Sequence, residues 1–226
     1  MEYDPVVKVA IAGAHGKIAL RLTRLLAVEG EQLIGLIRNP DQTAEVSEAG
    51  ASPVVCDLEH ATVDEIAAAI EGADAVVFAA GAGADSGADR KLTVDRDGAI
   101  KLLRAAKIAG IPRYVLVSSV GAEDPPDGDD VFEIYLRAKA EADAAIAASD
   151  REWTILRPGG LTDDAGTGNV RIDAAPFRGS VPRDDVASVL ARLLADTRST
   201  HRILYVNSGE QSIEQALDEV LGASAF

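Results

Sequence analysis

Tyr135 and Lys139 stand four residues apart, which places a phenol and an ammonium on one face of a helix. A carbonyl that receives a hydride needs a proton donor for the alkoxide that develops. A tyrosine hydroxyl is suited to this if a nearby cation lowers its pKa toward the working pH. Lys139 supplies that cation and could also hold a cofactor ribose. Sixteen residues before the tyrosine, Val117-Ser118-Ser119-Val120-Gly121 closes a short apolar run. A serine hydroxyl there could bond the substrate oxygen and position it. Ser119 is the first candidate and Ser118 the second. Tyr-x-x-x-Lys by itself equally describes a core aromatic followed by a solvated lysine. Its place after the Ser-Ser strand end favours the chemical reading.

A second constellation lies near the N-terminus. The run Val6 to Ala12 leads into Gly13-Ala14-His15-Gly16-Lys17-Ile18-Ala19, a Gly-x-x-Gly-x-x-Ala turn between a strand and a helix. Gly13 suits a tight turn, Gly16 lets a pyrophosphate approach the backbone, and Ala19 allows close helix–strand packing. The phosphates would sit on the helix N-terminus, where unpaired N–H groups and the dipole favour anions. Gly13, His15, Gly16, Lys17 and Ile18 are therefore candidate cofactor contacts. His15 either donates to a phosphate oxygen or points to solvent.

The next strand ends Leu36-Ile37-Arg38-Asn39-Pro40, with Arg38 22 positions after Gly16. NAD-preferring folds carry an Asp or Glu at this point to bind the ribose 2′-hydroxyl. A guanidinium instead binds a 2′-phosphate. The expectation is NADP rather than NAD. The third strand ends Cys56-Asp57-Leu58. Asp57 would accept from the adenine amino group while Leu58 packs on the ring, or Asp57 would cap the next turn. The small residues Ala79, Ala80 and Gly81 at the end of the fourth strand would let a ribose lie against the backbone.

These groups need a frame. Strands are expected at Val6–Ala12, Gln32–Ile37, Pro53–Cys56, Asp74–Ala79, Pro112–Val117, Glu152–Leu156 and Arg202–Val206. Helices are expected at Lys17–Val28, Asp41–Ala49, Thr62–Ile70, Arg90–Ala109, Asp130–Ala148, Asp184–Ala195 and Ser212–Leu221. Thr62 with Glu65, and Asp130 with Glu133, have capping-box spacing. Strands alternating with helices imply parallel βαβ units with helices on both faces. Gly159 to Arg178 is rich in Gly and Asp without a clear period. It reads as a mobile substrate-side loop beyond the sixth strand, or as a plain connection.

Composition sets the outer limits. The chain has 226 residues, 37 acidic against 22 basic, and a net charge of −15. That balance argues against nucleic acid or an anionic membrane as partner. One cysteine and three histidines leave little for a structural metal site. Cys56 is expected to be inert and Trp153 to lie in the core. The acidic start, Met1-Glu2-Tyr3-Asp4-Pro5, lacks the basic region of a secretory leader, so a soluble cytoplasmic protein is expected. Glu123 to Asp130 reads as a solvated loop; overhanging the site, it would disfavour anionic substrates.

With these residues in view, the chain resembles the atypical short-chain dehydrogenase/reductases of the NmrA-like, NAD(P)H-binding group. The matching segments are GAHGKIA, IRNP, CDL, FAAGAG, VDRDGAIKLLRAAKIAGIPRYVLVSSVGA, YLRAK and WTILRPGGL, within residues 6–161, with VPRDDVASVL near 181. The resemblance implies a Rossmann-type sheet and a nicotinamide near Arg157-Pro158-Gly159, which adds Pro158 and Gly159 to the cofactor set. His15 stands where the family usually has Thr, and Ala19 replaces the third glycine. The chain is too short for the separate substrate domain of sugar epimerases and dehydratases. Some relatives bind the cofactor only as a redox signal, and many of those lack the Tyr-x-x-x-Lys present here.

The expectation is one Rossmann-type α/β domain over residues 1–226, a doubly wound parallel sheet with a short C-terminal substrate-side extension, the loop at about 159–182. It would be an NADP-dependent oxidoreductase of a small carbonyl or hydroxyl compound, using Ser119, Tyr135 and Lys139, with no metal. Its partners would be that substrate and at most a second copy in a homodimer. A non-catalytic NADP(H) sensor and an epimerase/dehydratase-like enzyme are the alternatives.

Overall fold

Short apolar runs without alternation must be covered on both faces, and the central strands show this. Every residue of β4 (Ala75–Phe78) and β5 (Arg113–Val117) is buried, as is all of β1 (Lys8–Ala12) after its first residue. The computed structural model describes residues 7–83 and 86–222. Its first half alternates β1, α1 (Lys17–Val28), β2 (Gln32–Ile37), α2 (Thr43–Glu48), β3 (Ser52–Val55), α3 (Val63–Ala69) and β4. A helical stretch follows, comprising α4 (Ala88–Arg90), a π-helical segment (Lys91–Gly98) and α5 (Ala99–Ile108). Then come β5, α6 (Val131–Ala147), β6 (Glu152–Pro158), β7 (Gly160–Thr162), β8 (Asn169–Asp173) and β9 (Ser180–Pro182). The chain finishes with α7 (Arg183–Ala195), β10 (Arg202–Ser208), β11 (Gln211–Ser212) and α8 (Ile213–Leu221).

The main sheet has nine strands in the order β11-β8-β10-β6-β5-β4-β1-β2-β3. From β3 to β10 all neighbours are parallel, and β8 runs antiparallel to β10 and β11 at the far edge. β7 and β9 form a separate parallel pair. The period of two divides β1 between two cores. Val9 and Ile11 pack with residues of α1, α7 and α8, while Ala10 and Ala12 pack with residues of α3, α5 and α6. The chain is therefore a single doubly wound, Rossmann-like domain. The strand order reverses between β1 and β4, the point where such sheets open a crevice beyond the carboxyl ends of their strands.

Two expectations change. The helix expected over Arg90–Ala109 is interrupted by the π-helical turns at Lys91–Gly98. The apolar stripe is blind to this, because the widened turns serve two polar groups, Lys91 and Asp95, which are buried. The stretch Gly159–Arg178 is also not an open loop. Within it, β8 alternates buried Val170 and Ile172 with exposed Asn169 and Arg171 and completes one edge of the main sheet. Asp185, itself buried at the start of α7, accepts from the amides of Thr167 and Gly168 at 3.0 and 2.9 Å. The alternation is present in Asn169–Asp173, but five residues between glycine- and aspartate-rich flanks do not stand out.

The capping boxes at Thr62/Glu65 and Asp130/Glu133 form as expected. Trp153 and Cys56 are buried. The acidic start at Met1–Pro5, and Val6, lie outside the described residues. No helix among the described residues is long and apolar enough to cross a membrane.

Backbone pairing of β8 on both sides should slow its amide exchange without any ligand. Hydrogen-exchange mass spectrometry of the ligand-free protein should show residues 169–173 protected at the level of β10. Exchange as fast as in the exposed loop at 124–129 would contradict the pairing.

Candidate functional site

The turn after β1 is built around one close approach. Gly13 has φ +77°, and a Cβ there would lie 2.5 Å from the Ala80 Cα. Only glycine satisfies both conditions, so the ends of β1 and β4 can abut. Gly16 is the N-cap of α1 and makes no side-chain cap. By contrast α3, α6 and α8 each begin with a capping box. The first-turn amides of α1 thus have no side-chain acceptor, the arrangement that suits an anion. A Cβ on Gly16 would press on the Gly13 carbonyl oxygen at 3.0 Å.

The two basic residues of this turn are engaged elsewhere. His15 Nε2 lies 2.7 Å from Glu45 Oε2, and its Nδ1 lies 3.2 Å from Gln42 Nε2. The amide nitrogen can only donate, so Nδ1 accepts and Nε2 carries the proton toward Glu45. Lys17 donates to Asp163 at 2.6 Å, and Arg183 reaches the same carboxylate at 2.8 Å. His15 therefore lines the cleft with its ring nitrogens occupied, and Lys17 lines neither of its cavities. Both side chains are thus paired within the protein, with partners that the sequence separation hid.

On one side of the β1–β4 junction a cavity of about 190 Å³ is lined by Gly13, Gly16, Arg38, Cys56, Asp57, Leu58 and the Ala79–Gly81 strand end. Arg38 is exposed there and makes no hydrogen bond or ion pair among the described residues. Asp57 takes the second of its two readings. Its Oδ1 accepts from the Glu59 amide at 3.0 Å and its Oδ2 meets His60 Nδ1 at 2.9 Å, so it caps the following turn. Burial pushes its carboxyl up, but the His60 and Glu59 hydrogen bonds and the charges of His60 and Arg38 leave it below the ordinary value.

On the other side a cavity of about 1010 Å³ shares Ala79, Ala80 and Gly81 with the first, and is lined by Ile18, Ser118, Ser119, Tyr135, Lys139 and Gly159. Lys139 is buried, donates to the Val117 carbonyl at 3.1 Å and pairs with Asp95 Oδ1 at 3.2 Å. Its Nζ is 5.7 Å from the Tyr135 ring centre. Burial lowers its pKa, but Asp95, Tyr135 and Asp143 outweigh that and hold it above the ordinary lysine value, so the ammonium stays charged. Lys91 Nζ lies 5.5 Å from the same ring and donates to the Gly83 carbonyl at 2.5 Å.

The two serines separate. Ser118 is buried and donates to Asp143 Oδ2 at 2.8 Å, an oxygen that also accepts from Arg157 Nε at 2.9 Å. Ser119 is half-buried, and its hydroxyl touches only the carbonyl of Val120, at 3.1 Å. It is the serine available to a ligand. Gly159 lines the cavity, with no room for a side chain against Asn207, whereas Pro158 is buried at the end of β6 and lines neither cavity. Asp95, Lys91 and Asp143 escape the sequence reading. Spacing held a signal for each: Lys91 and Asp95 are i and i+4, and Asp143 continues the Tyr135–Lys139 stripe by one more turn. Among the described residues no group of His, Cys, Asp and Glu could hold a metal ion.

Comparison with known proteins agrees with this geometry. The family model described as NAD(P)H-binding matches residues 13–197. A Bacillus subtilis protein named as an uncharacterized sugar epimerase is 38% identical over 215 residues, covering 95% of this chain and 100% of its own. A Bacillus halodurans structure, provisionally described as an NAD-dependent epimerase/dehydratase, superposes with a TM-score of 0.88 at 36% identity, covering 95% and 100%. An oxidoreductase of Lactococcus lactis superposes with a TM-score of 0.85 at 28% identity, covering 95% and 97%.

A branched side chain at Gly16 would fill the space a pyrophosphate needs. Gly16→Val should keep a native circular-dichroism spectrum and lose binding of both NADPH and NADH by calorimetry. Unchanged NADPH affinity in a folded variant would move the phosphate site elsewhere.

Proposed function

The chain belongs to the NAD(P)H-binding family, its features fitting the NmrA-like atypical short-chain dehydrogenase/reductases, and from that premise we propose that it is an NADP-dependent oxidoreductase of a small carbonyl or hydroxyl compound. The observation that carries the reading is the wall of the larger cavity, where Tyr135 stands over a buried, charged Lys139 with Ser119 alongside. NADPH, held by the glycine turn and Arg38, would supply a hydride to the carbonyl carbon. Tyr135 Oη gives its proton to the carbonyl oxygen as negative charge develops there. The Lys139 ammonium favours the phenolate left behind, and Ser119 Oγ holds the oxygen in place. The products would be the alcohol and NADP⁺.

The glycine turn and the uncapped start of α1 fit the pyrophosphate, and Ala79, Ala80 and Gly81 offer a side-chain-poor wall to the ribose. Arg38 fits a 2′-phosphate, since it lines the smaller cavity and makes no hydrogen bond or ion pair among the described residues. The cavity volume leaves room for a substrate beside the nicotinamide. The small molecule is the proposed partner. The acidic balance fits neither nucleic acid nor an anionic membrane, and the proposed setting is the cytoplasm.

The names of the two Bacillus relatives support a second reading, an epimerase. Tyr135 would then take the proton of a hydroxyl group and return it to the same oxygen, while the oxidised cofactor would take the hydride from that carbon and return it to the opposite face, with no net consumption of cofactor. Stoichiometric loss of NADPH absorbance with a carbonyl substrate separates the two readings, and cofactor binding without turnover over a broad panel would favour a sensor.

Two outcomes test the proposal. Tyr135→Phe removes one hydroxyl and little volume, so turnover should fall by roughly 10²–10⁴-fold while cofactor affinity stays near wild type. A wild-type rate in that variant ends the catalytic assignment. For the cofactor, a charge-assisted contact of about 1.5–3 kcal/mol at Arg38 should give NADPH an advantage on the order of 10- to 100-fold over NADH at low salt. Arg38→Asp should reverse the order, and equal calorimetric affinities in the wild type would remove the argument.

A further inference from the structure

The charged residues lining the cleft are almost all engaged within the protein. Asp57 caps a turn, Asp130 caps α6, Glu59 holds Arg90, Asp95 holds Lys139, and Glu123 accepts from the Gly121 amide. Of the cations, Lys91 donates to Gly83 and Arg183 to Asp163. Two arginines are left that make no hydrogen bond or ion pair among the described residues. Arg38 lines the smaller cavity, and Arg178 lines the larger one and is exposed. In a chain of net charge −15, an arginine without an internal partner at each end of one cleft calls for two anionic groups. The cofactor reading uses the first and leaves the second.

The wall of the cavity that Arg178 lines has a definite character. Eight large apolar side chains are exposed among the described residues, and three of them, Val131 at 40%, Phe132 at 61% and Leu161 at 37%, line this cavity. That gathering is more than scattered surface apolarity, and it marks a place that a ligand covers. Phe132 stacks on Tyr135 with ring centres 5.8 Å apart, so the apolar patch continues to the proposed proton donor. The acidic stretch at Glu123–Asp130 adds two carboxylates to the lining, and each has positive charge beside it: Glu123 lies 3.7 Å from the Arg157 guanidinium, and Asp130 caps the positive N-terminal end of α6.

We infer that the substrate is a carbonyl compound with an apolar, ring-sized body that carries a carboxylate, the ring lying on Phe132, Val131 and Leu161 and the carboxylate meeting Arg178. This rests on the oxidoreductase reading for its chemistry, in which the carbonyl carbon gains the hydride of NADPH, its oxygen gains the Tyr135 proton, and NADP⁺ is released. The anion pocket itself rests on the lining alone.

The test compares 4-formylbenzoate with its uncharged methyl ester at saturating NADPH. The two share one ring and one aldehyde and differ in charge. The carboxylate should have the higher kcat/KM by about tenfold, the low end for a charge-assisted contact, and Arg178→Gln should bring the ratio toward one. A second arm needs no turnover: calorimetry of 4-methylbenzoate with the NADP⁺-loaded protein, where Arg178→Gln should weaken binding by a similar factor. Faster turnover of the ester, or a ratio and an affinity that Arg178→Gln leaves unchanged, overturns the inference and spares the oxidoreductase reading. Arg178-dependent binding of 4-methylbenzoate without reduction of either aldehyde overturns that reading and keeps the anion pocket. Neither binding nor turnover overturns the inference outright.

Discussion

One buried carboxylate holds the working part of this protein together. Asp143 Oδ2 on α6 accepts from Ser118 at the end of β5 and from Arg157 on β6, and Arg157 in turn donates to the Tyr205 hydroxyl on β10. Burial pushes the Asp143 carboxyl up, and the Arg157 charge is the chief force opposing that shift. Removing charges from water costs several kcal/mol each, so either partner alone would be strongly destabilising where it lies. The network therefore joins one helix to three adjacent strands. Because Lys139 sits one turn before Asp143, the same constraint sets the face that α6 turns toward the cleft.

That face meets a second buried pair. Asp95 receives the Ala82 amide on one oxygen and the Lys139 ammonium on the other. It comes from the π-helical segment, whose wider turn carries Lys91 and Asp95 inward together. A lysine at this depth would ordinarily lose its proton to desolvation. The neighbouring carboxylates reverse the direction, and a fixed positive charge results beside Tyr135. The chemistry of the wall thus depends on a helical irregularity 40 residues away in the chain.

The crevice itself follows from topology and one backbone contact. The strand order reverses between β1 and β4, and the missing side chain of Gly13 lets their ends come within contact distance at Ala80. Two cavities therefore meet at Ala79–Gly81. The later segment then lines the second cavity with β7 and the stretch between β8 and β9, anchored by Asp185 and by the pairing of β8 with β10 and β11. This side of the cleft is a wall held by strand pairing, with Lys17 and Arg183 sharing Asp163 across it.

What the sequence determined by itself is what local pattern and spacing encode. Apolar runs, capping boxes and the Gly13–Gly16 turn define the strands, the helices and the alternation that forces a parallel, two-faced sheet. The i, i+4 spacing puts Tyr135 and Lys139 on one face, and the residue after β2 is Arg38 whatever the packing. Only the tertiary structure decided which polar groups are left over for a ligand. Ser118 is bonded to Asp143, and His15 and Lys17 to Glu45 and Asp163. Asp57 caps its own turn, and a hidden strand at Asn169–Asp173 replaced a loop. The reason is physical. Most of these outcomes are pairings between residues 25 to 146 positions apart, and such a pairing depends on where the chain returns in space. Spacing along the chain carries no record of that return. Burial makes it decisive, because a polar group withdrawn from water must find its partner inside the fold.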